Sequence, residues 1–305
     1  MQVIGLNGRQ RKSGAFTLLE LLTALFILAL LLAILSPALK KARRSAKSIL
    51  SGHNQGKTAI GVFCYATDQD DKLPESVATL GTGDRWSWRE PTVLTGFQRR
   101  SPTTYRSVSQ YLGDYIETAS TLFCPCAPST YEYAQAAWEA GDDWDHPSPD
   151  TAIEDPLFGN YCLYWNYVGY LEEKQRPFIG PRSTAGRRGE SKLLISDYFG
   201  YGHWRNELVY GSRNAYGSCE KISDEADITD GTSVACDFWS LFDPVNQISV
   251  ESLALSFNAG YVDGHVEKFT PLDVTAMKVS MTPDGQVPYP DDIGPAGTIF
   301  IPRNQ

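Results

Sequence analysis

The chain has 305 residues, 42% of them hydrophobic and 12% aromatic, and a formal net charge of −9 at pH 7. The charge is uneven: residues 1–44 carry seven Lys and Arg against a single acid, whereas residues 45–305 carry 20 Lys and Arg against 35 Asp and Glu. This acidic majority repels phosphate backbones, and the sequence has no basic stripe with interleaved aromatic residues. The composition therefore disfavours nucleic acid as a partner.

The most informative segment runs from Phe16 to Leu35 and reads FTLLELLTALFILALLLAIL, apolar except for Glu20 and two threonines. As a helix it would span about 30 Å, the thickness of one bilayer core. A secretory signal peptide has a shorter apolar region, about 7–15 residues, followed by a small-x-small cleavage site. Here a longer run is followed by the basic sequence SPALKKARRSAKSIL. We therefore expect a membrane-spanning helix, and a carboxylate inside it is costly enough to indicate a functional role for Glu20.

The residues before and inside this segment form a recognisable signal. A basic leader and the small residue Ala15 precede F-T-L-L-E-L-L; counted from Phe16, Glu20 is the fifth residue and Pro37 the twenty-second. This pattern resembles the processing and assembly signal of type IV prepilins and type II secretion pseudopilins. Many pilins have a glutamate and a helix-bending proline at those two positions. The resemblance implies removal of the leader by a prepilin peptidase, N-methylation of Phe16, and assembly through Glu20 and Pro37.

The cleavage site departs from the family pattern. The family usually has glycine directly before the phenylalanine, whereas this chain reads Gly14-Ala15-Phe16. Cleavage after Ala15 keeps the positions of the glutamate and the proline, and cleavage after Gly14 shifts both by one. We favour Ala15, because alanine is the smallest substitute for glycine in a protease subsite, and keep Gly14 as the alternative.

The charges on either side of the apolar segment bear on its orientation. Three cations precede it and five follow it, which argues against a cytoplasmic N-terminus by the positive-inside rule: Arg9, Arg11 and Lys12, then Lys40, Lys41, Arg43, Arg44 and Lys47. The family resemblance implies the opposite, a cytoplasmic leader and an exported C-terminal domain. We follow the resemblance, which places a single-pass protein in the inner membrane with that domain in the periplasm or in an extracellular filament.

The helix is expected to continue beyond the membrane to about Tyr65, with a bend at Pro37. Positions 42, 46, 49, 53, 56, 60 and 63 recur with 4-3 spacing, the pattern of an amphipathic helix. We expect this stripe to pack on the exported domain and to leave His53 partly buried. Gly52, Gly56 and Gly61 each weaken the helix by about 1 kcal/mol relative to alanine.

Two further segments resemble one large group of pilin-like proteins. Tyr65–Pro74 resembles the Y-A-x-D-x-D-x-x-L-P sequence that ends the helix in that group. Asn258–Val266 resembles its C-terminal N-x-x-F-x-D-G-H-V hairpin, the H-x9-D-G domain associated with prepilin processing. The namesake histidine is missing, because Leu253 stands ten residues before Asp263. The hairpin is therefore expected without any special role for that histidine.

The remaining sequence alternates strand-like segments with turns. Strands are predicted at 85–89, 161–170 and 192–197, and a hairpin at 253–269 turns at Asp263-Gly264. The fold class expected is α+β, a long N-terminal helix packed on a mostly antiparallel sheet with large loops. The predicted organisation is a leader (1–15), a transmembrane and assembly helix (16–37), its amphipathic continuation (38–66) and an exported β-rich domain (67–305).

Six cysteines lie outside the apolar segment, and an even number predicts disulfides in an oxidising compartment: Cys64, Cys124, Cys126, Cys162, Cys219 and Cys236. Fifteen pairings are open, and we expect at least one bond to use Cys124 or Cys126. The Cys124-Pro-Cys126 sequence could be half of a metal site. The four histidines supply no second ligand pair with metal spacing, so disulfides or buried thiols are favoured.

No catalytic motif is present, so the protein is expected not to be an enzyme and to need no cofactor. Calcium is the alternative ligand, because two acidic groups carry suitable oxygen atoms without EF-hand spacing: Asp68, Asp70 and Asp71, and Asp227, Asp230 and Asp237. An aromatic cluster offers sugar stacking as an alternative to core packing: Tyr161, Tyr164, Trp165, Tyr167 and Tyr170.

Two functions follow from the sequence. The first is a pilin or pseudopilin structural subunit, whose partners are prepilin peptidase, other such subunits, the assembly platform and the membrane. The second is a membrane-anchored exported binding protein, for glycans or another ligand, that uses the signal for sorting alone.

Overall fold

The structure is a computed structural model that describes residues 17–78, 91–94, 107–125, 131–139, 159, 161–171, 173–202, 205–213, 219–221, 256–279 and 298–303. The chain divides into two compact units, residues 1–46 and residues 47–305. Three α-helices are described: α1 (Leu18–Asp68), α2 (Val108–Leu112) and α3 (Tyr131–Glu139). Two short 3₁₀ helices lie at Ala119–Leu122 and Pro271–Asp273.

Eleven strands are described: β1 (Tyr161–Leu163), β2 (Val168–Leu171), β3 (Arg176–Ile179), β4 (Leu193–Asp197), β5 (Phe199–Gly202), β6 (Arg205–Arg213), β7 (Cys219–Lys221), β8 (Phe257–Tyr261), β9 (Val266–Phe269), β10 (Val274–Lys278) and β11 (Thr298–Pro302). They form a four-stranded sheet in the order β1-β4-β8-β9 and a seven-stranded sheet in the order β3-β2-β10-β11-β5-β6-β7. Every described pairing between these strands is antiparallel, which confirms the predicted α+β class.

The edges of the sheets are protected in different ways. Backbone N–H groups of Gly159 and Leu163 donate to the carbonyl oxygens of Thr92 and Pro91, which covers the outer side of β1. The edge strand β3 contains Pro177, which has no N–H to offer to a further strand. Both devices leave fewer unpaired backbone groups for unintended pairing.

The predicted strand 161–170 is wrong as a single element. The chain forms β1, turns at Tyr164–Tyr167, and continues as β2 in the other sheet. Asn166 makes this possible because it adopts φ 52, a left-handed conformation that asparagine tolerates well. Its amide also donates to the carbonyl oxygens of Leu73 and Pro74, at 3.2 and 2.7 Å, which fixes the turn to the segment after α1.

Two other predicted β elements are confirmed. The predicted strand at 192–197 is β4, buried along its whole length. The C-terminal hairpin is formed by β8 and β9, and Gly264 adopts φ 85 in its turn. The predicted strand at 85–89 lies outside the described residues.

Helix α1 enters the second unit with an unexpected face toward the sheet. Its buried residues are small or polar: Ser51, Gln55, Thr58, Ala59, Val62 and Ala66. Ile49 and Ile60 of the predicted stripe are 64% and 62% exposed, and His53 is exposed as well. The expectation that this stripe packs on the exported domain is therefore wrong.

The polar face of α1 is buried because close packing and hydrogen bonds stabilise this contact more than burial of the isoleucine side chains would. A Cβ atom placed on Gly61 would lie 2.7 Å from Ile116 Cγ1, so only glycine allows this approach. Polar side chains at this contact donate hydrogen bonds: the Asn54 amide donates to the Phe123 carbonyl at 3.2 Å and the Thr58 hydroxyl to the Asn54 carbonyl at 3.0 Å. A face with satisfied polar groups can be buried as well as an apolar one.

Candidate functional site

The start of α1 is organised by a pair of residues three positions apart. The Thr17 N–H and hydroxyl donate to Glu20 Oε2 at 2.9 and 2.8 Å, and the Glu20 N–H donates to Thr17 Oγ1 at 3.2 Å. This reciprocal arrangement is a capping box, which satisfies backbone donors that a helix start leaves without partners. The T-x-x-E spacing is visible in the sequence, but our sequence reasoning considered Glu20 only as an intermolecular contact.

The apolar part of α1 is long enough to cross a membrane. The candidate span is Leu18–Leu39, 22 residues, and none of it is buried against the rest of the chain. The helix continues through Pro37, which cannot donate the usual backbone hydrogen bond. The predicted processing residues Gly14, Ala15 and Phe16 lie outside the described residues.

The acidic segment after α1 has a structural use. The Thr184 N–H donates to Asp71 Oδ1 at 3.1 Å, and the Thr184 hydroxyl bonds to the same oxygen. These bonds, the hydroxyl's above all, hold the pKa of the Asp71 carboxyl below its ordinary value. The Tyr115 hydroxyl donates to Asp68 at 2.9 Å. Asp70 and Asp71 both have positive φ, so the segment forms a tight turn at the end of the helix.

The calcium alternative has no support in this part of the chain. Among the described residues, no three His, Cys, Asp or Glu side chains come together in a way that could hold a metal ion. The second acidic group, Asp227, Asp230 and Asp237, lies outside those residues. The expectation that the protein needs no cofactor stays a prediction.

The hairpin turn is held by its own side chains. The His265 ring stacks on Tyr261 with centroids 4.4 Å apart and planes 7° apart, and His265 Nδ1 bonds to the Asp263 carboxylate. The Tyr261 hydroxyl donates to Glu267 on the adjacent strand. The D-G-H sequence thus serves a local structural purpose in this chain, without the missing histidine.

Sequence reasoning missed the most elaborate polar site, which surrounds Asp197 at the end of β4. Its Oδ1 accepts from the Ser51 hydroxyl at 2.7 Å and from Gln55 Nε2 at 3.0 Å, both on α1. Its Oδ2 accepts from the Asn258 N–H at 2.8 Å and from Asn258 Nδ2 at 3.2 Å, on β8. Asn258 Nδ2 also donates to the Ser48 carbonyl at 2.9 Å. One carboxylate therefore joins α1 to two strands.

The charge of this site is unusual because no cation is among the hydrogen-bond partners that the structure describes for it. Burial raises the pKa of Asp197 to about 6, although the four donors act in the opposite direction. The signal that could have found it is an aspartate at the end of the strand Leu193–Asp197, whose first three residues are apolar. A buried charge at such a place needs several donors.

The aromatic cluster belongs mostly to the core. Tyr161, Tyr164 and Tyr167 are at most 1% exposed, and Trp165 is 2% exposed; Tyr170 is half-buried. Trp165 therefore offers no face to a sugar, and the core interpretation of these residues is confirmed.

No disulfide occurs among the cysteines whose side chains the structure describes, Cys64, Cys124 and Cys162. Cys64 is exposed on α1, whereas Cys124 and Cys162 are buried. Burial raises the pKa of the Cys162 thiol to about 12. The predicted disulfide stays a prediction, because the side chains of Cys126, Cys219 and Cys236 are not among those that the structure describes.

The comparison with known families supports the reading of the N-terminus. Residues 10–36 match the family model of the prokaryotic N-terminal methylation motif. No curated protein and no solved structure matches the chain. The matched residues include Ala15, Phe16 and Glu20, and they overlap most of the candidate span. The chain therefore carries a prepilin-type signal, followed at once by an apolar helix that can anchor it in a membrane.

Proposed function

We propose that this protein is a pilin-like or pseudopilin structural subunit of a type IV pilus or a type II secretion-like filament. The observation that carries the proposal is the match of residues 10–36 to the methylation motif, with Glu20 inside the apolar span. The chain is inserted in the inner membrane with one span, and its C-terminal domain is exported. Prepilin peptidase removes residues 1–15, and the partners are similar subunits and the assembly platform.

The capping box suggests how processing and assembly are linked. Removing the leader creates an amine on Phe16, directly before the Thr17 that caps the helix. Glu20 Oε2 already accepts two hydrogen bonds from Thr17, so the carboxylate is held at the helix start. A carboxylate in lipid needs a positive partner, and the amine of a neighbouring subunit supplies one at that depth. Apolar side chains in lipid give little specificity, so this pair sets the register between subunits.

This proposal is for a structural role, with no catalysis and no bound nucleic acid. An anchored binding protein is the alternative function. Its main support in the sequence was the aromatic cluster, and the burial of Trp165 removes that support.

Two substitutions at one position test the assembly contact. Glu20→Gln keeps the capping box, because glutamine at this position also bonds to the N-cap residue, but removes the charge. Glu20→Ala removes both. We expect both variants to be inserted and cleaved, and both to be lost from sheared filaments while they remain in the membrane fraction.

The matched control is Asp114→Asn, which removes an exposed carboxylate from the exported domain and should leave incorporation unchanged. Incorporation of Glu20→Gln at the wild-type level, with loss of Glu20→Ala, would show that capping matters and that the charge pair does not. Normal incorporation of both variants would show that Glu20 is not the assembly contact, whereas absence of the wild-type chain from sheared filaments would favour the anchored binding protein.

A further inference from the structure

Five cations follow the candidate span directly. We call residues 40–47 the basic collar, and its cations are Lys40, Lys41, Arg43, Arg44 and Lys47. Helix α1 is continuous through the collar, with Arg43 exposed and Lys47 half-buried. At about 100° per residue, positions 40, 43, 44 and 47 fall within about 100° of the helix circumference, and position 41 lies next to them. The cations are therefore gathered on one side of the helix.

Helix α1 supplies no counter-charge to the collar. Between Glu20 and Asp68 the sequence has six Lys and Arg and no Asp or Glu. A pair on one helix face needs an acid three or four residues away, and the sequence around the collar has none. Among the residues that the structure describes, no acid forms an ion pair with Arg43 or Lys47. The collar therefore carries its charge without an acid on its own helix.

Helix geometry gives the depth of the collar in a membrane. The span Leu18–Leu39 has 22 residues, about 33 Å of helix against a hydrocarbon core of about 30 Å. The headgroups add about 5–8 Å on each side, so positions 40–44 lie at headgroup depth. Lys47 lies about 12 Å beyond Leu39, within one Debye length of the headgroups, about 8 Å at physiological ionic strength. The charge nearest to the collar is therefore that of the lipid headgroups.

The side of the membrane makes this segment unusual. In the orientation that we propose, the collar is exported, and Lys and Arg are less frequent beside spans on that side. Basic segments next to a span bind anionic headgroups, and each Lys or Arg near the surface strengthens the binding about fivefold. The acidic surface of another copy is the rival counter-charge. Headgroups are favoured because they surround the collar as soon as the chain is inserted.

We infer that the basic collar binds anionic phospholipid, that is, a lipid whose headgroup has a net negative charge, such as phosphatidylglycerol. An arginine guanidinium can bond to two phosphate oxygens at once, whereas a lysine acts as a point charge. The collar offers both kinds of cation on one helix face. This inference goes beyond the proposed function, because it concerns the membrane-inserted chain alone and needs no filament.

Photo-crosslinking in vesicles tests the contact from directly below the collar. A benzophenone amino acid replaces Ser36, on the helix face of the collar, or Ala38, on the opposite face; both residues are exposed. The full-length chain is reconstituted with about one part phosphatidylglycerol to nine parts phosphatidylcholine. A fivefold preference, the contribution of about one cation, would put phosphatidylglycerol in about a third of the lipid adducts. We expect at least this share at Ser36, and at Ala38 a share close to that in the vesicle.

Variants separate the collar from positive charge in general. The neutral variant replaces all five cations: Lys40→Gln, Lys41→Gln, Arg43→Gln, Arg44→Gln and Lys47→Gln. It should reduce the phosphatidylglycerol share at Ser36 to that in the vesicle. The matched control changes three exposed arginines of the second unit and should leave the share unchanged: Arg182→Gln, Arg187→Gln and Arg188→Gln.

Salt tests the same contact in the wild-type collar, so the result does not depend on insertion of the neutral variant. In about 1 M NaCl the Debye length is about 3 Å, and the enrichment at Ser36 should fall at least about twofold.

Equal shares at Ser36 and Ala38, or an enrichment that survives both neutralisation and salt, would overturn the inference. Adducts of Ser36 with a second copy, without lipid enrichment, would also overturn it, because the acidic protein surface would then be the counter-charge. These results would leave the proposed function standing, since the vesicles contain no filament. Absence of the chain from sheared filaments would instead overturn the proposed function and leave the lipid contact intact.

Discussion

The buried Asp197 should make the stability of the C-terminal domain depend on pH in an unusual direction. Its pKa is about 6 in the folded chain, against an ordinary value of 3.8. The folded state therefore binds the proton more tightly than the unfolded state. The stabilisation from Asp197 is fully present below pH 3.8 and is lost as the pH rises through 6. With about 2 pH units of difference and about 1.4 kcal/mol per unit, the loss is about 3 kcal/mol.

Two substitutions separate the charge of Asp197 from its hydrogen bonds. Asp197→Asn removes the titration but keeps a side chain of the same size. Its amide oxygen can accept from Asn258, and its amide nitrogen can face Gln55 Oε1, a buried atom without a described partner. Asp197→Ala instead leaves Gln55 Nε2 and the Asn258 N–H without the acceptor they use. At about 1–3 kcal/mol for each unsatisfied buried donor, this variant should lose about 2–6 kcal/mol.

The assay is urea unfolding of the full chain in detergent between pH 4 and 7, followed by tryptophan fluorescence. We expect the free energy of unfolding of the wild type, relative to Asp197→Asn, to fall as the pH rises from 4 to 6 and then to level off. Asp114→Asn is the control for an exposed carboxylate. A difference between wild type and Asp197→Asn that is flat would refute the assigned desolvation. One that rises with pH would show that the four donors outweigh burial.

Three further predictions concern helix packing, thiol reactivity and disulfide formation. Gly61→Ala should destabilise the domain by about 1–3 kcal/mol in thermal unfolding, because the added methyl group meets Ile116 at 2.7 Å. Gly56→Ala, whose added Cβ would be 3.8 Å from its nearest neighbour, should be neutral or stabilising by up to about 1 kcal/mol, and an equal loss in both variants would contradict this account. Maleimide should label the exposed Cys64 in the folded chain and spare the buried Cys162, as peptide mass mapping can show; equal labelling would be inconsistent with the described burial. For the exported location that we propose, thiol counting after denaturation without reductant should give fewer than six thiols, and six would refute the predicted disulfide.

Elements with strong local signals could be predicted from the sequence. The span at the N-terminus follows from an apolar run of sufficient length, and the C-terminal hairpin follows from an Asp263-Gly264 turn between apolar strands. Strand β4 follows from its continuous apolar residues. In each case the information lies in neighbouring residues of the chain, and for β4 and the hairpin the tertiary contacts agree with it.

The failures arise where long-range contacts outweigh the local pattern. The residues at 161–170 are mostly aromatic, with high β propensity, but Asn166 among them takes a left-handed conformation and its amide bonds to the backbone after α1. The apolar stripe of α1 is predicted to be buried, but it is exposed. Periodicity shows which residues share a helix face and does not show which face packs on the sheet. Asp197 decides that question, and it lies 142 residues from Gln55 in the chain. The local sequence can mark Asp197 as a buried acid, but it does not show which helix bonds to it.

The most direct test of the central claim is the intact mass of the protein extracted from membranes of cells with an active prepilin peptidase. We expect loss of residues 1–15 and one added methyl group on Phe16. Cleavage after Gly14 would leave one additional alanine residue in the measured mass, so the same spectrum distinguishes the two sites. Retention of the complete leader in those cells would contradict the account.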